Sequence, residues 1–324
     1  MCERLCIVKG EDALQRIRVM LRNALRLEHT MTIIDGKKIS QEIKNEVEAA
    51  AEKLKREKGI TPGLAFILVG DNPASQSYVK SKGKACEELG FYSVTERVPA
   101  TISESDLLAM VNRFNNDPKI HGLLVQLPLP KHIDEQKVIE AISPTKDVDG
   151  FHPVSIGKMM IGIDTFYSAT PYGIVELLKR YNINPSGKHV VVVGRSNIVG
   201  KPVANMLVQK KEWANAIVTI AHTAAKNLSY YTKQADILIA AVGKPNAITK
   251  EMVKPGVMVI DVGINRIVDA SSKSGTRLVG DVDFEHVKEI ASAITPVPGG
   301  VGPMTIAMLM VNTLKAAGGE DLSA

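Results

Sequence analysis

The chain has 324 residues, 45% of them hydrophobic and 23% charged, with a net charge of +5. There is enough apolar material for two domains, while the scattered charge and an aromatic content of 4% offer neither a basic patch nor a stacking platform for nucleic acid. No apolar run is long enough to span a bilayer. Cys2, Cys6 and Cys86 match no zinc pattern and form no disulfide framework, so neither a metal nor an oxidising compartment is expected.

Residues 1–30 differ in character from the rest of the chain. Arg16, Arg18, Arg22 and Arg26 alternate with Leu14, Ile17, Leu21 and Leu25 as an amphipathic pattern. This leader reads as an over-long start ahead of Met31, as an extra helix, or as organellar targeting. Against targeting stand Glu3, Glu11, Asp12 and Glu28 and the lack of serine. A cytoplasmic location is the expectation.

From Thr32 the elements alternate. A short strand and turn precede a charged amphipathic helix over 40–58, stopped by Gly59. The apolar run Leu64–Gly70 predicts a buried strand, and 75–89 a helix ended by Gly90. FYSVTERVPA is a strand, and Ser103 with Asp106 has the form of a helix-capping pair. Gly122–Leu127 is another apolar strand, closed by prolines, and PTKDVDGFHP is a loop. This order predicts a parallel sheet flanked by helices. Thr170-Pro171 starts a helix to about Tyr181, near which a domain boundary falls. Beyond it a second α/β alternation runs through HVVVVGRSNIVG, AIVTIAH, ADILIAAVG and VMVIDVGINR to a last helix over 303–316.

VVVVGRSNIVG places a glycine loop between a strand and a helix, where backbone N–H groups and the helix dipole favour a pyrophosphate. The loop departs from GxGxxG: Ser196 replaces the second glycine and Val199 the third, so a plain tight turn at Gly194 competes with a cofactor role. No acidic residue lies between Trp213 and Ala235 to hold a ribose 2′-hydroxyl, whereas Arg195 sits inside the loop and Thr223 follows the next strand. That combination favours NADP.

Tyr78 and Lys82 are one helical turn apart and share a face, while Lys80 and Lys84 point elsewhere. Exposed lysine is the ordinary reading of all three lysines. A Tyr-x-x-x-Lys pair also marks short-chain dehydrogenases, but there it follows the glycine loop in the same domain; here it precedes it. The pair would then face the cofactor across a cleft. Gln126, in an otherwise apolar strand near its C-terminal end, is either a satisfied core amide or a cleft residue that tunes the lysine. Asp147 and Asp149 are turn carboxylates, either of which could accept hydrogen bonds from an amino-pyrimidine-like head group.

YVKSK, GLLVQLPLP, KDVDGFHP, GRSNIVGKP and ITPVPGGVGPMT, in this order, resemble the bifunctional methylenetetrahydrofolate dehydrogenase/methenyltetrahydrofolate cyclohydrolase family from about Ile33 to the last helix. The resemblance implies two α/β domains around a cleft. One is a folate-binding catalytic domain over 31–168 plus 295–324, the last helix returning to it. The other is a Rossmann-type NADP domain over 169–294. It implies oxidation of 5,10-methylenetetrahydrofolate by NADP, then hydrolysis to 10-formyltetrahydrofolate. By the same resemblance Lys82 is the essential lysine of hydrolysis, Tyr78 positions the folate, Gln126 tunes Lys82, and Asp149 anchors the pterin. Pro298, Gly299, Gly300 and Val301 would line the folate pocket. Gly194, Arg195, Ser196, Ile198, Thr223 and Ile264 would hold NADP. A homodimer through the cofactor domain is implied as well. Two rival readings are a shikimate-dehydrogenase-like oxidoreductase and a non-enzymatic folate or NADP sensor. The GLLVQLPLP and PVPGGVGP loops, which suggest a broad, flat, uncharged head group, speak against the first, and Lys82 with Gln126 against the second.

Overall fold

A computed structural model describes residues 31–272, 275–320 and 322; the expectations for residues 1–30 lie outside them. The order is β1 (Thr32–Ile33), α1 (Gly36–Lys58), β2 (Gly63–Val69), α2 (Pro73–Glu88), β3 (Tyr92–Val98), α3 (Glu104–Asn115) and β4 (Gly122–Val125). Next come α4 (Glu135–Ala141), α5 (Pro153–Met160), α6 (Ala169–Arg180), β5 (His189–Val193), α7 (Gly200–Val208), β6 (Ile217–Ala221), α8 (Leu228–Thr232) and β7 (Ile237–Ala240). The last elements are β8 (Met258–Asp261), β9 (Asn265–Val268), β10 (Thr276–Val279), α9 (Phe284–Val287), β11 (Ala293–Ile294) and α10 (Val301–Ala316). Among the described residues no helix is long and apolar enough to cross a membrane.

The first half builds a three-stranded parallel sheet, β3-β2-β4. β2 is buried along its whole length, which is why its sequence shows no polar alternation. The second half builds a six-stranded parallel sheet in the order β1-β11-β8-β7-β5-β6. Counted from β5, its own five strands run 2-1-3-4-5, a doubly wound order whose direction reverses between β5 and β7.

Several elements differ from the sequence expectation. The first helix starts at Gly36, not Ser40, because Asp35 caps it by accepting from Lys38 N at 2.9 Å. Gly36 has the look of a turn residue but serves a close approach: a Cβ there would lie 1.9 Å from the Gly300 carbonyl oxygen. The strand expected to run to Leu127 ends at Val125, and the last helix begins at Val301. β1 pairs in parallel with β11, so Thr32 and Ile33, grouped by the sequence with the first domain, complete the sheet of the second.

Helix α10 ties the halves together. It is buried over most of its length and packs against α1 and α6. Asn312, itself buried, donates from Nδ2 to the carbonyls of Val148 at 2.8 Å and Tyr167 at 2.9 Å. The last helix is thereby fastened to the segment after β4.

Candidate active site

α2 is capped by Asn72, which accepts from the backbone of Ala74 and Ser75, with Pro73 in its first turn. Its inward face carries Ser75, Val79, Lys82 and Cys86, spaced at helical intervals. Lys82 is therefore buried, at 6% exposure, whereas Lys80 and Lys84 are exposed and Lys84 lies 3.5 Å from Glu88. Lys82 Nζ donates to Gln126 Oε1 at 3.2 Å. Gln126 Nε2 donates in turn to the Leu127 carbonyl at 2.9 Å. Tyr78 lies on the same helix, half-exposed, its hydroxyl pushed to higher pKa by desolvation.

Lys82, Tyr78, Gln126 and Asp149 share a cavity of about 300 Å³ with Ile198, Ile264 and Val301. The cavity draws on both halves of the chain. Burial raises the pKa of the Asp149 carboxyl, and the Lys82 charge opposes that rise. Asp147 does other work: buried, it accepts from Phe151 N, His152 N and Ser155 Oγ and fixes the turn into α5. Burial pushes its pKa to about 6 against those hydrogen bonds. The two carboxylates that the sequence leaves open are thus told apart by their surroundings.

Pro298, Gly299 and Gly300 do not line the cavity with Lys82. With Val301, which borders both, they line a recess of about 120 Å³ beside Ile264. The main cavity is also walled by Phe151, Thr170 and Thr305, which sequence reasoning does not single out. Thr170 and Thr305 face each other at 2.8 Å between their hydroxyls. Thr170 carries only the signal of a helix start, and nothing local announces its partner.

On the other side of the cleft, Gly194 follows β5 with φ +136°, and a Cβ there would lie 2.2 Å from the Ala241 carbonyl oxygen. That contact sits at the β5/β7 reversal, where doubly wound sheets bind ligands beyond the strand ends. Ser196 Oγ accepts from Val199 N and Gly200 N, at 3.1 and 3.3 Å, as α7 begins. With both lone pairs engaged, the hydroxyl keeps only its proton to offer, which suits a phosphate oxygen. β5 and β6 pair Val193 with Ala221, so Arg195 and Thr223 each follow a paired position by the same interval. Both are exposed beyond the C-terminal edge of the sheet, after adjacent strands. The tight glycine, the amide-rich turn and this Arg–Thr edge fit a dinucleotide with a 2′-phosphate. Among the described residues no cluster of His, Cys, Asp or Glu is arranged to hold a metal.

Comparison with known proteins agrees in both halves. Residues 34–149 match the tetrahydrofolate dehydrogenase/cyclohydrolase catalytic domain, and residues 168–320 the NAD(P)-binding domain of the same family. The chain is 58% identical over 288 residues to the bifunctional protein FolD of Prosthecochloris aestuarii, covering 88% of this chain and 98% of that one. The crystal structure of the bifunctional enzyme FolD, methylenetetrahydrofolate dehydrogenase/cyclohydrolase, from Campylobacter jejuni superposes with a TM-score of 0.84 at 51% identity, covering 89% and 99% of the two chains. The Trypanosoma brucei methylenetetrahydrofolate dehydrogenase-cyclohydrolase, complexed with NADP cofactor and inhibitor, gives 0.84 at 38% identity, covering 89% and 97%.

Proposed function

The chain belongs to the tetrahydrofolate dehydrogenase/cyclohydrolase family, and on that premise we propose that one cleft carries both reactions. It oxidises 5,10-methylenetetrahydrofolate with NADP, and it hydrolyses the 5,10-methenyl product to 10-formyltetrahydrofolate. The observation that carries this reading is the buried Lys82–Gln126 pair, which shares its cavity with Ile198 and Ile264 of the cofactor half.

NADP, when bound, accepts the hydride. The protein's own groups do the rest. Asp149 accepts N–H bonds from the pterin, and the half-exposed Tyr78 ring offers a flat surface for it. Water that attacks the methenyl carbon must shed a proton, and Lys82 Nζ is the group placed to take or relay it. Gln126 presents only its oxygen to that amine and so fixes its direction. Gly194, Arg195, Ser196, Ile198 and Thr223 hold the dinucleotide, with Ile264 beside the nicotinamide. Pro298, Gly299 and Gly300 back the folate pocket from the adjoining recess.

Past Tyr78, Ile264 and Gly302 the cleft opens on a groove of about 990 Å³ walled by Lys37, Lys38, Lys44 and Arg266, with Asp35 and Glu42 among them. Lys38 and Lys44 face Glu42 and Glu88, which leaves Lys37 and Arg266 to meet the acidic glutamate tail of a folate. Strand β6 is an edge strand with Ile217 and Ile220 exposed, which supports a homodimer through the cofactor half.

The test is product identification. Purified protein with methylenetetrahydrofolate and NADP should yield NADPH and 10-formyltetrahydrofolate. Binding of folate without either product would favour the sensor reading.

A further inference from the structure

The cofactor half contains two buried carboxylates that neither reaction uses directly. Asp261 ends β8 and Asp281 follows β10; both are almost fully enclosed. Asp281 accepts from Val242 N at 2.6 Å, Gly243 N at 2.8 Å, Lys244 N at 3.0 Å and Asn265 Nδ2 at 2.9 Å. Asp261 accepts from Gly263 N, Asp281 N and Val282 N, each at 2.9 Å. Each carboxylate sits against a glycine. A Cβ on Gly263 would lie 2.2 Å from Asp281 Oδ1, and one on Gly280 would lie 1.8 Å from Asp261 Oδ2.

Three segments, 242–244, 261–265 and 280–282, are therefore one hydrogen-bonded knot. Its two ends reach functional ground. The 242–244 turn follows Ala241, whose carbonyl presses on Gly194 at the β5/β7 reversal. The 261–265 segment presents Ile264 to the cleft. Convergence of several N–H donors on one point calls for an anion, because a carboxylate has about four acceptor sites and a side-chain amide oxygen about half that number.

We propose that Asp281 is a positioning residue for hydride transfer, holding the 242–244 turn and the Ile264 loop in the mutual register that the nicotinamide requires. This rests on the bifunctional reading above. Hydride transfer depends on the placement of a second molecule in the cofactor half. Hydrolysis depends on water, Lys82 and Gln126, to which the knot makes no hydrogen bond; it reaches their cavity only through the walls Val262 and Ile264. Loss of the knot should therefore divide the two activities.

The experiment is Asp281→Asn, assayed in both half-reactions on one preparation: oxidation of methylenetetrahydrofolate with NADP, and hydrolysis of methenyltetrahydrofolate without NADP. The expected result is a dehydrogenase kcat/KM lower by about tenfold or more, with hydrolysis within about twofold of wild type. Asn265→Ala, which removes one partner and keeps the carboxylate, should show the same asymmetry at about threefold, and it decides the matter if Asp281→Asn fails to fold. Parallel loss of both activities, or loss of neither, overturns the proposal. A wild-type chain lacking one of the activities overturns the bifunctional reading instead, and this proposal with it.

Discussion

The amide of Gln126 shows Lys82 only its oxygen: Nε2 is turned away to the Leu127 carbonyl, leaving Oε1 3.2 Å from the lysine Nζ. The orientation follows from the hydrogen bonds, since the flipped amide would set two donors against Lys82 and an acceptor against a carbonyl. A neutral acceptor holds the amine in place without pinning its charge.

Gln126→Glu tests that neutrality. A carboxylate at this distance favours the charged lysine, so the pH profile of hydrolysis should move upward by about one unit or more. The rate at neutral pH should fall while substrate affinity changes less. A profile that stays in place would mean that Lys82 does not exchange the critical proton.

Gly194→Ala addresses the cofactor turn. With φ at +136° and the Ala241 carbonyl in the way, the added methyl forces β5 and β7 apart at their ends. The dehydrogenase kcat/KM should fall by about 100-fold, with NADP affinity reduced and hydrolysis retained. Unchanged NADP affinity would place the dinucleotide elsewhere.

Asp147 makes stability depend on pH. Its carboxyl ordinarily titrates near 3.8, and burial raises it to about 6 in the folded chain. A group that binds its proton more tightly when folded contributes most below its unfolded pKa, and that contribution is lost as pH rises through the folded value. Relative to Asp147→Asn, wild type should therefore lose about 2 kcal/mol of unfolding free energy between pH 4 and pH 7. Urea unfolding of both proteins across that range measures it. A constant difference would contradict the raised pKa.

Asn312→Leu probes the bond between the last helix and the first domain. It leaves the carbonyls of Val148 and Tyr167 buried without their donor. At about 1–3 kcal/mol for each unsatisfied group, a loss of about 2–6 kcal/mol is expected in urea unfolding. A change below about 1 kcal/mol would show that water replaces the amide.

Much of this architecture is legible in the chain. β2 announces itself by an unbroken apolar run, and Gly194 by its place between a strand and a helix. Lys82 can be separated from Lys80 and Lys84 because a helix turns every second residue to a different side. What escapes is long-range or backbone-borne. A short strand is expected at β1, but two residues carry nothing that assigns it to the second sheet beside β11. The knot around Asp281 uses backbone N–H groups, which every residue but proline has, so no side-chain signal foretells it. Asp147 and Asp149 both lie in one short turn; their residue types alone do not separate them, and the fold puts one in the turn's hydrogen bonds and the other in the cavity, as the resemblance implies.

The most direct test of the account is hydrolysis of methenyltetrahydrofolate by Lys82→Met, beside wild type, with folate binding measured on the same samples. The account predicts that the variant binds the folate within a few-fold of wild type, while hydrolysis falls by about 100-fold or more. Hydrolysis at the wild-type rate would contradict it, because the buried lysine would then be a structural cation and the proton would leave by another route.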